Sequence, residues 1–273
     1  MRGLRKVRKG KAMHHDFTGD IAFVSGAGRG FGRAVSERLA AAGARLVVSD
    51  LTDAMLADTV DTIRGSGGVV EGVSGDISRE AVSQKIAAVI AERHGHLTIA
   101  VNNAGIAQPQ VRLHETDSAL AEKVVAVDLM GVFYAMKHQI PLLLKGVELT
   151  GGQGRILNVA SAAGQMGSPK LAIYSAAKHG VIGLTRSAAV EYGRKGLRIN
   201  AICPSFARTD MVMKPLESSP EGEAAAIARM VAVNPMQRLG EVEEVVQAMI
   251  WAISRENSYF NGQSLGIDGG LSA

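Results

Sequence analysis

The sequence predicts an α/β fold in which one doubly wound parallel sheet of about seven strands carries helices on both faces. Two observations predict it. Short apolar runs recur along the chain, and helical patterns fill the gaps between them. Glycine-rich or polar clusters directly follow two of those runs, at Gly26–Gly32 and at Asn102–Gly105. Strands that alternate with helices join through right-handed crossovers into a parallel sheet. Such a sheet binds ligands beyond the carboxyl ends of its strands.

The elements follow in order. Ile21–Ser25 is continuously apolar up to its last residue, as a strand buried on both faces requires. Arg33–Ala42 reads as an alanine-rich helix, and Gly43 stands where a C-terminal glycine cap belongs. Further strands are expected at Arg45–Ser49, Val69–Val73, Leu97–Val101, Arg155–Val159, Leu197–Ile202 and Ser264–Ile267. The longest helical pattern runs from about Thr116 to Leu144. Neither a repeat nor a linker interrupts residues 13–273, which read as one domain.

Composition narrows the function classes. The 273 residues are 47% hydrophobic and 21% charged, as in an ordinary globular protein. Aromatic residues are only 4%, which leaves little for stacking on nucleic-acid bases. No apolar run approaches the ~20 residues that span a bilayer, so neither nucleic acid nor membrane is an expected partner. Cys203 is the single cysteine, which rules out an intrachain disulfide and suits a reducing cytoplasm. The net charge of +4 comes from the N-terminus, where Arg2, Arg5, Lys6, Arg8, Lys9 and Lys11 precede the first acid, Asp16. Residues 1–12 are therefore expected to be a solvated, disordered basic extension, and no apolar stretch follows them to make a secretory signal.

The first strand runs into Ser25-Gly26-Ala27-Gly28-Arg29-Gly30-Phe31-Gly32. Gly26, Gly30 and Gly32 allow a tight turn, close approach of a pyrophosphate and close helix packing, and the helix N-terminus offers N–H groups to the phosphates. The strict G-x-G-x-x-G spacing is absent. Asp50 closes the second strand, where its carboxylate can accept hydrogen bonds from an adenosine ribose. That predicts NAD over NADP. Arg29 could attract a 2′-phosphate, but Leu51 supplies no second cation. Phe31, Leu51, Asp76, Ile77, Asn103, Ala104 and Gly105 complete the expected cofactor site, with the polar groups of Asp76 and Asn103 placed to meet adenine and ribose.

Tyr174 and Lys178 occupy Tyr-Ser-Ala-Ala-Lys, one turn apart on one face if helical. An ammonium beside a phenol stabilises phenolate and makes the tyrosine a usable proton donor and acceptor. Ser161, just past the fifth strand, could bind a substrate oxygen.

Together these residues resemble the short-chain dehydrogenase/reductase family. The matches are Gly26/Gly30/Gly32, Asp50, Asp76, Asn102-Asn103-Ala104-Gly105, Ser161, Tyr174, Lys178, Asn200-Ala201-Ile202-Cys203-Pro204, Thr209 and Asp268-Gly269-Gly270. They occur in family order across residues 18–270. The resemblance implies a Rossmann-type fold, Tyr174 as general acid/base, Lys178 on the nicotinamide ribose, and Ser161 on the substrate oxygen. It implies that Pro204, Ala207 and Thr209 adjoin the nicotinamide, and that the chain forms a homodimer or homotetramer. Two departures stand out. Asp128 replaces the usual asparagine of the proton relay, and Ser205 replaces the glycine after the proline.

The leading expectation is an NAD(H)-dependent oxidoreductase that interconverts a secondary alcohol and its ketone. Reduction of a 3-oxoacyl thioester is the alternative substrate class. A catalytically weakened nucleotide-binding sensor or scaffold is the alternative function. Ala107–Leu113, Ala162–Leu171 and Ser205–Pro235 are expected to shape the substrate pocket. Met211, Met213, Met230 and Met236 either line it or belong to the core. The seven histidines show no metal spacing with acids, and Cys203 reads as a small buried hydrophobe.

Overall fold

A strand covered by helices on both sides must send apolar side chains alternately to each face. In β1 (Ile21–Ser25), Ala22 and Val24 enter one core while Ile21 and Phe23 enter the other. The computed structural model describes residues 15–273. After β1 come β2 (Arg45–Asp50), β3 (Val70–Ser74), β4 (Ile99–Asn102), β5 (Gly154–Val159), β6 (Leu197–Pro204) and β7 (Ser264–Ile267). They form one parallel sheet in the order β3-β2-β1-β4-β5-β6-β7. The chain steps outward from β1 to β3, then returns to lay β4 against β1. That reversal opens a crevice at the carboxyl ends of β1 and β4.

Helices α1 (Gly30–Ala41), α2 (Asp53–Gly65) and α9 (Val242–Ile253) cover one face through Leu39, Ile63 and Val246. Helices α3 (Glu80–His94), α5 (Gly131–Thr150) and α6 (Ala172–Tyr192) cover the other through Ile90, Leu143 and Val181. Each side chain buried as fully as Leu39 or Leu143 contributes roughly 1.5–3 kcal/mol. Three shorter helices, α4 (Ser118–Val125), α7 (Asp210–Glu217) and α8 (Glu223–Val231), lie between these larger elements in the chain.

All seven expected strands are present, β1 and β7 with the expected bounds and the other five with an end shifted by one or two residues. Val69 is half exposed and precedes β3, and Leu97 is buried yet precedes β4. Gly43 does cap α1. It adopts φ +94°, its N–H reaches the Ala40 carbonyl, and the Ala44 N–H reaches Leu39. The long helical pattern is not one helix. A π-helical turn at Ala126–Met130 separates α4 from α5, and α5 runs on to Thr150 with Pro141 inside it. Composition and periodicity carry no signal for a single extra residue in a turn.

At the amino ends of the strands, away from that crevice, two buried arginines stand near the start of β5 and β6. Arg155 pairs with Asp20 and donates to the Ile253 carbonyl. Arg198 donates to the carbonyls of Ala252, Ser254 and Phe260. Burial, and then Arg155 beside it, lower Arg198 to about 10. These cations hold the C-terminal end of α9 against the strands. No helix among the described residues is long and apolar enough to cross a membrane. The expectation for residues 1–12 lies outside the described residues.

Candidate active site

The site grows from the carboxyl ends of β1, β2, β4, β5 and β6. Where β1 passes into α1 the chain turns so tightly that several glycines have no room for a side chain. A Cβ on Gly32 would stand 2.0 Å from the Gly26 carbonyl oxygen, and one on Gly26 would stand 2.8 Å from Ala104 Cα. Gly30 differs, since a Cβ there would make only an ordinary contact with Thr209 at 3.6 Å and its demand is φ +54°. Gly28 matters as much and was not singled out by its spacing. Its N–H donates to Asp50 Oδ2 at 2.8 Å, and a Cβ there would meet the Met55 carbonyl oxygen at 2.4 Å. Only the three-dimensional approach of α2 makes that glycine necessary.

Asp50 is fixed from two sides, because its Oδ1 also accepts the Leu51 N–H at 2.7 Å. Each carboxylate oxygen keeps a lone pair for a further donor. Leu51 is 56% exposed beside it. Arg29 does not stand alone in the loop. It reaches Asp210, at the start of α7, at 3.7 Å. Phe31 packs against the core under the loop.

The Asn103 side chain serves the loop. Its amide donates to the carbonyls of Ser25 and Gly26, while Ser25 Oγ accepts the N–H groups of Asn103 and Ala104. The amide nitrogen of Asn103 is thereby committed to bracing the loop. Asp76 accepts the Ser78 N–H at 3.0 Å, and Ile77 packs on Gly131.

On the other side of the crevice, β6 ends at Pro204. The strand-like pairing of Ala207 with Gly240 fixes the following backbone, and Thr209 is the residue that a Cβ on Gly30 would touch, at 3.6 Å. Ser205 keeps ordinary backbone angles, and its hydroxyl donates to the Asp268 carbonyl at 3.1 Å. The replacement of glycine is therefore absorbed without strain.

Tyr174 and Lys178 both lie on α6, as the spacing predicts. The Lys178 Nζ sits 5.5 Å from the centre of the Tyr174 ring and donates to the Val159 carbonyl at 3.2 Å. It also lies 3.6 Å from Asp128 Oδ2. Asp128 stands on the π-helical turn, wholly buried, with Oδ1 accepting the Ile106 N–H at 2.8 Å. Burial pushes the Asp128 carboxyl above its usual range, against the pull of Lys178 and the Ile106 N–H. For Lys178, burial alone would favour the neutral amine. The charges of Asp128 and Tyr174 outweigh it and raise the ammonium above its usual value. Gly105 leaves the room this pair needs, since a Cβ there would come within 3.3 Å of both Asp128 Oδ1 and Lys178 Nζ.

Ser161 stands at the exit of β5 and accepts the Ala163 N–H at 3.2 Å, which leaves its hydroxyl hydrogen to donate elsewhere. Behind these residues runs a buried polar ladder. Asn102 bonds Gln139 and Asn158, and Asn158 bonds Thr185, which ties β4, β5, α5 and α6 together. Gln108 was also missed. It is buried and accepts the backbone N–H of Tyr174.

Cys203 is fully buried, and burial pushes its thiol up to about 12. Met211 and Met236 are exposed and Met213 and Met230 half buried, so the four methionines are not core. His15 bonds Glu256 at 3.0 Å, far along the chain from the site residues.

The family model described as enoyl-(acyl carrier protein) reductase matches residues 26–272. Levodione reductase of Leifsonia aquatica is 37% identical over 262 residues, covering 94% of this chain and 96% of its own. Cyclohexanol dehydrogenase of Acinetobacter sp. (strain SE19) is 33% identical, over 95% of this chain and 97% of its own. A crystal structure of carveol dehydrogenase from Mycobacterium avium in complex with NAD superposes with a TM-score of 0.88. It is 28% identical, over 94% of this chain and 99% of its own.

Proposed function

This chain belongs to the short-chain dehydrogenase/reductase family and is an oxidoreductase acting on CH–OH groups, and we propose that it interconverts secondary alcohols and ketones with NAD(H). The observation that carries the proposal is the buried Lys178 ammonium beside the Tyr174 ring, anchored to Val159 and Asp128. An ammonium so held favours a phenolate next to it. It gives Tyr174 the means to take a proton from an alcohol and return it to a ketone.

The cofactor fits the residues present. The turn at Gly26, Gly28 and Gly32 closes tightly on the chain's own atoms, since a Cβ at any of them would strike a neighbouring backbone atom, and it ends at the N-terminus of α1, where N–H groups favour phosphate. Gly26, Arg29, Gly30, Phe31 and Gly32 would hold the pyrophosphate side. Asp50, Leu51, Asp76, Ile77, Asn103, Ala104 and Gly105 would form the adenosine side. Tyr174, Lys178, Pro204, Ala207 and Thr209 would adjoin the nicotinamide. When bound, the nicotinamide accepts or supplies a hydride. Ser161, with its hydroxyl hydrogen available, orients the substrate oxygen toward Tyr174. The Tyr174 hydroxyl then moves the proton, and Lys178 holds the charge that this leaves. Asp50 favours NAD over NADP, because its carboxylate accepts from a ribose hydroxyl and opposes a 2′-phosphate. Arg29 already faces Asp210. The names of the relatives direct the first screen to cyclic secondary alcohols and ketones.

Two variants test this reading. Tyr174→Phe should keep the fold and bind NAD, yet lose hydride transfer by about 100-fold or more, the range of general acid–base catalysis. The readout is reduced-nicotinamide absorbance in single turnover, and a loss under about tenfold sinks the assignment. For the cofactor, the ratio of kcat/KM for NAD over NADP should be about 100-fold, equivalent to ~2.7 kcal/mol. Asp50→Ala should shrink it, and an unchanged ratio removes Asp50 from cofactor choice.

A further inference from the structure

The first turn of any helix carries N–H groups that have no carbonyl one turn behind them. Tyr174 is the third residue of α6, so its own backbone N–H is one of these. The N-cap residue, Leu171, offers no side-chain acceptor. The acceptor comes from a distant loop instead. Gln108 lies beyond β4 with 6% of its surface exposed, and its Oε1 accepts the Tyr174 N–H at 2.8 Å.

The same amide works at both ends. Gln108 Nε2 donates to the Lys170 carbonyl at 3.4 Å, and the Val111 N–H donates to that carbonyl at 3.2 Å. Lys170 holds φ +65°, a left-handed conformation that a residue with a side chain keeps only where its surroundings enforce it. Three bonds from one loop therefore set the turn that launches α6. Lys178, one turn further in, has its own anchors on Val159 and Asp128.

We propose that Gln108 is a positioning residue for the reaction: it caps α6 from across the crevice and so fixes where the Tyr174 side chain stands relative to Ser161 and Lys178. The proposal rests on the reading of Tyr174 as acid/base. Both ends of the Gln108 amide are engaged within the protein, so its effect passes through Tyr174 rather than through contact with substrate. The loop that holds it, Ala107–Leu113, is one expected to shape the substrate pocket. The shape of that wall and the placement of the proton donor are then set by one segment.

Gln108→Met keeps the length of the side chain and removes the acceptor, while Gln108→Glu keeps an acceptor oxygen at the same reach. Hydrogen exchange on the cofactor-free protein, read over residues 172–176, should be about tenfold faster in Gln108→Met, as expected when a cap is lost and the helix start frays. Gln108→Glu should stay near wild type. In steady state, kcat of Gln108→Met should fall about 30-fold, inside the ~100-fold that a 1 Å misplacement can cause. Its KM for alcohol and its NAD affinity should hold, and Gln108→Glu should recover most of kcat. Wild-type exchange or wild-type kcat in Gln108→Met overturns the proposal, and so does a Gln108→Glu variant as impaired as Gln108→Met. Tyr174→Phe in the same assay separates the two readings. If that variant stays active, the acid/base reading falls and takes the rate claim with it, while the exchange result still decides whether Gln108 caps the helix.

Discussion

Asp128 shows how much one atom can alter at a buried site. Asparagine and aspartate have nearly the same shape, but the carboxylate faces Lys178 at 3.6 Å with no water-exposed surface of its own. A buried anion beside an ammonium takes up part of the positive field that would otherwise act on Tyr174. Asp128→Asn removes that competition. The alcohol-oxidation profile of the variant should therefore move to lower pH, by about one unit for a neighbouring charge of this kind. The sign follows from the acid/base role proposed for Tyr174. On that reading oxidation draws on the phenolate, which a less neutralised Lys178 stabilises. The wild-type pair should also weaken as pH falls through the raised Asp128 value, because the carboxyl takes up a proton there earlier than an ordinary aspartate does. The measurement is kcat/KM against pH for both proteins. Superimposable profiles would mean that Asp128 has no electrostatic role, and inactivity of a folded Asp128→Asn would give the carboxylate a role of its own.

At the scale of elements, the strand–turn–helix unit of β1 and α1 carries the sharpest steric demands. Two glycines of the turn make different demands, so a matched pair of alanine variants separates them. At Gly30 a Cβ would make only an ordinary contact with Thr209, so the left-handed backbone alone resists, which costs about 1–2 kcal/mol for a residue with a Cβ. At Gly32 the backbone angles are ordinary, but the Cβ would overlap the Gly26 carbonyl oxygen. Relief requires α1 to move away from the loop. Gly30→Ala should lower stability by that modest amount and keep measurable NAD affinity. Gly32→Ala should lose more than about 4 kcal/mol, the range reserved for core and backbone disruption, or fail to bind NAD at all. Denaturant unfolding and cofactor titration of the pair provide the check. Equal behaviour of the two would show that the turn is softer than its contacts suggest.

Across the whole molecule, what the sequence made legible follows from local physics. Apolar strands and their helical intervals have periods that a sequence displays, and all seven strands were read from them to within two residues. Tyr174 and Lys178 share a face because four residues make about one helical turn. The residues that escaped notice act across the chain. Gln108 and Tyr174 are 66 positions apart, and Gly28 meets Asp50 over 22. Nothing local distinguishes a glutamine that caps a remote helix from one in solvent. Asp128 drew attention through its family position alone. Its burial on a π-helical turn, and its direct approach to Lys178, needed coordinates.

The closing hydrogen bonds of Asp268 bear on how the site is assembled during synthesis. Ser205 and Asn234 both donate to the Asp268 carbonyl, and β7 pairs along the outer edge of β6. Residues 264–272 leave the ribosome after every other part of the crevice. The glycine-rich turn, Asp50 and the Asn103 brace can all be in place while the segment through Ala207 and Thr209 still lacks its outer support. The glycine-rich turn can thus form before the segment through Ala207 and Thr209 is braced, and it is the pairing of β7 with β6, together with Asp268, that supplies the brace.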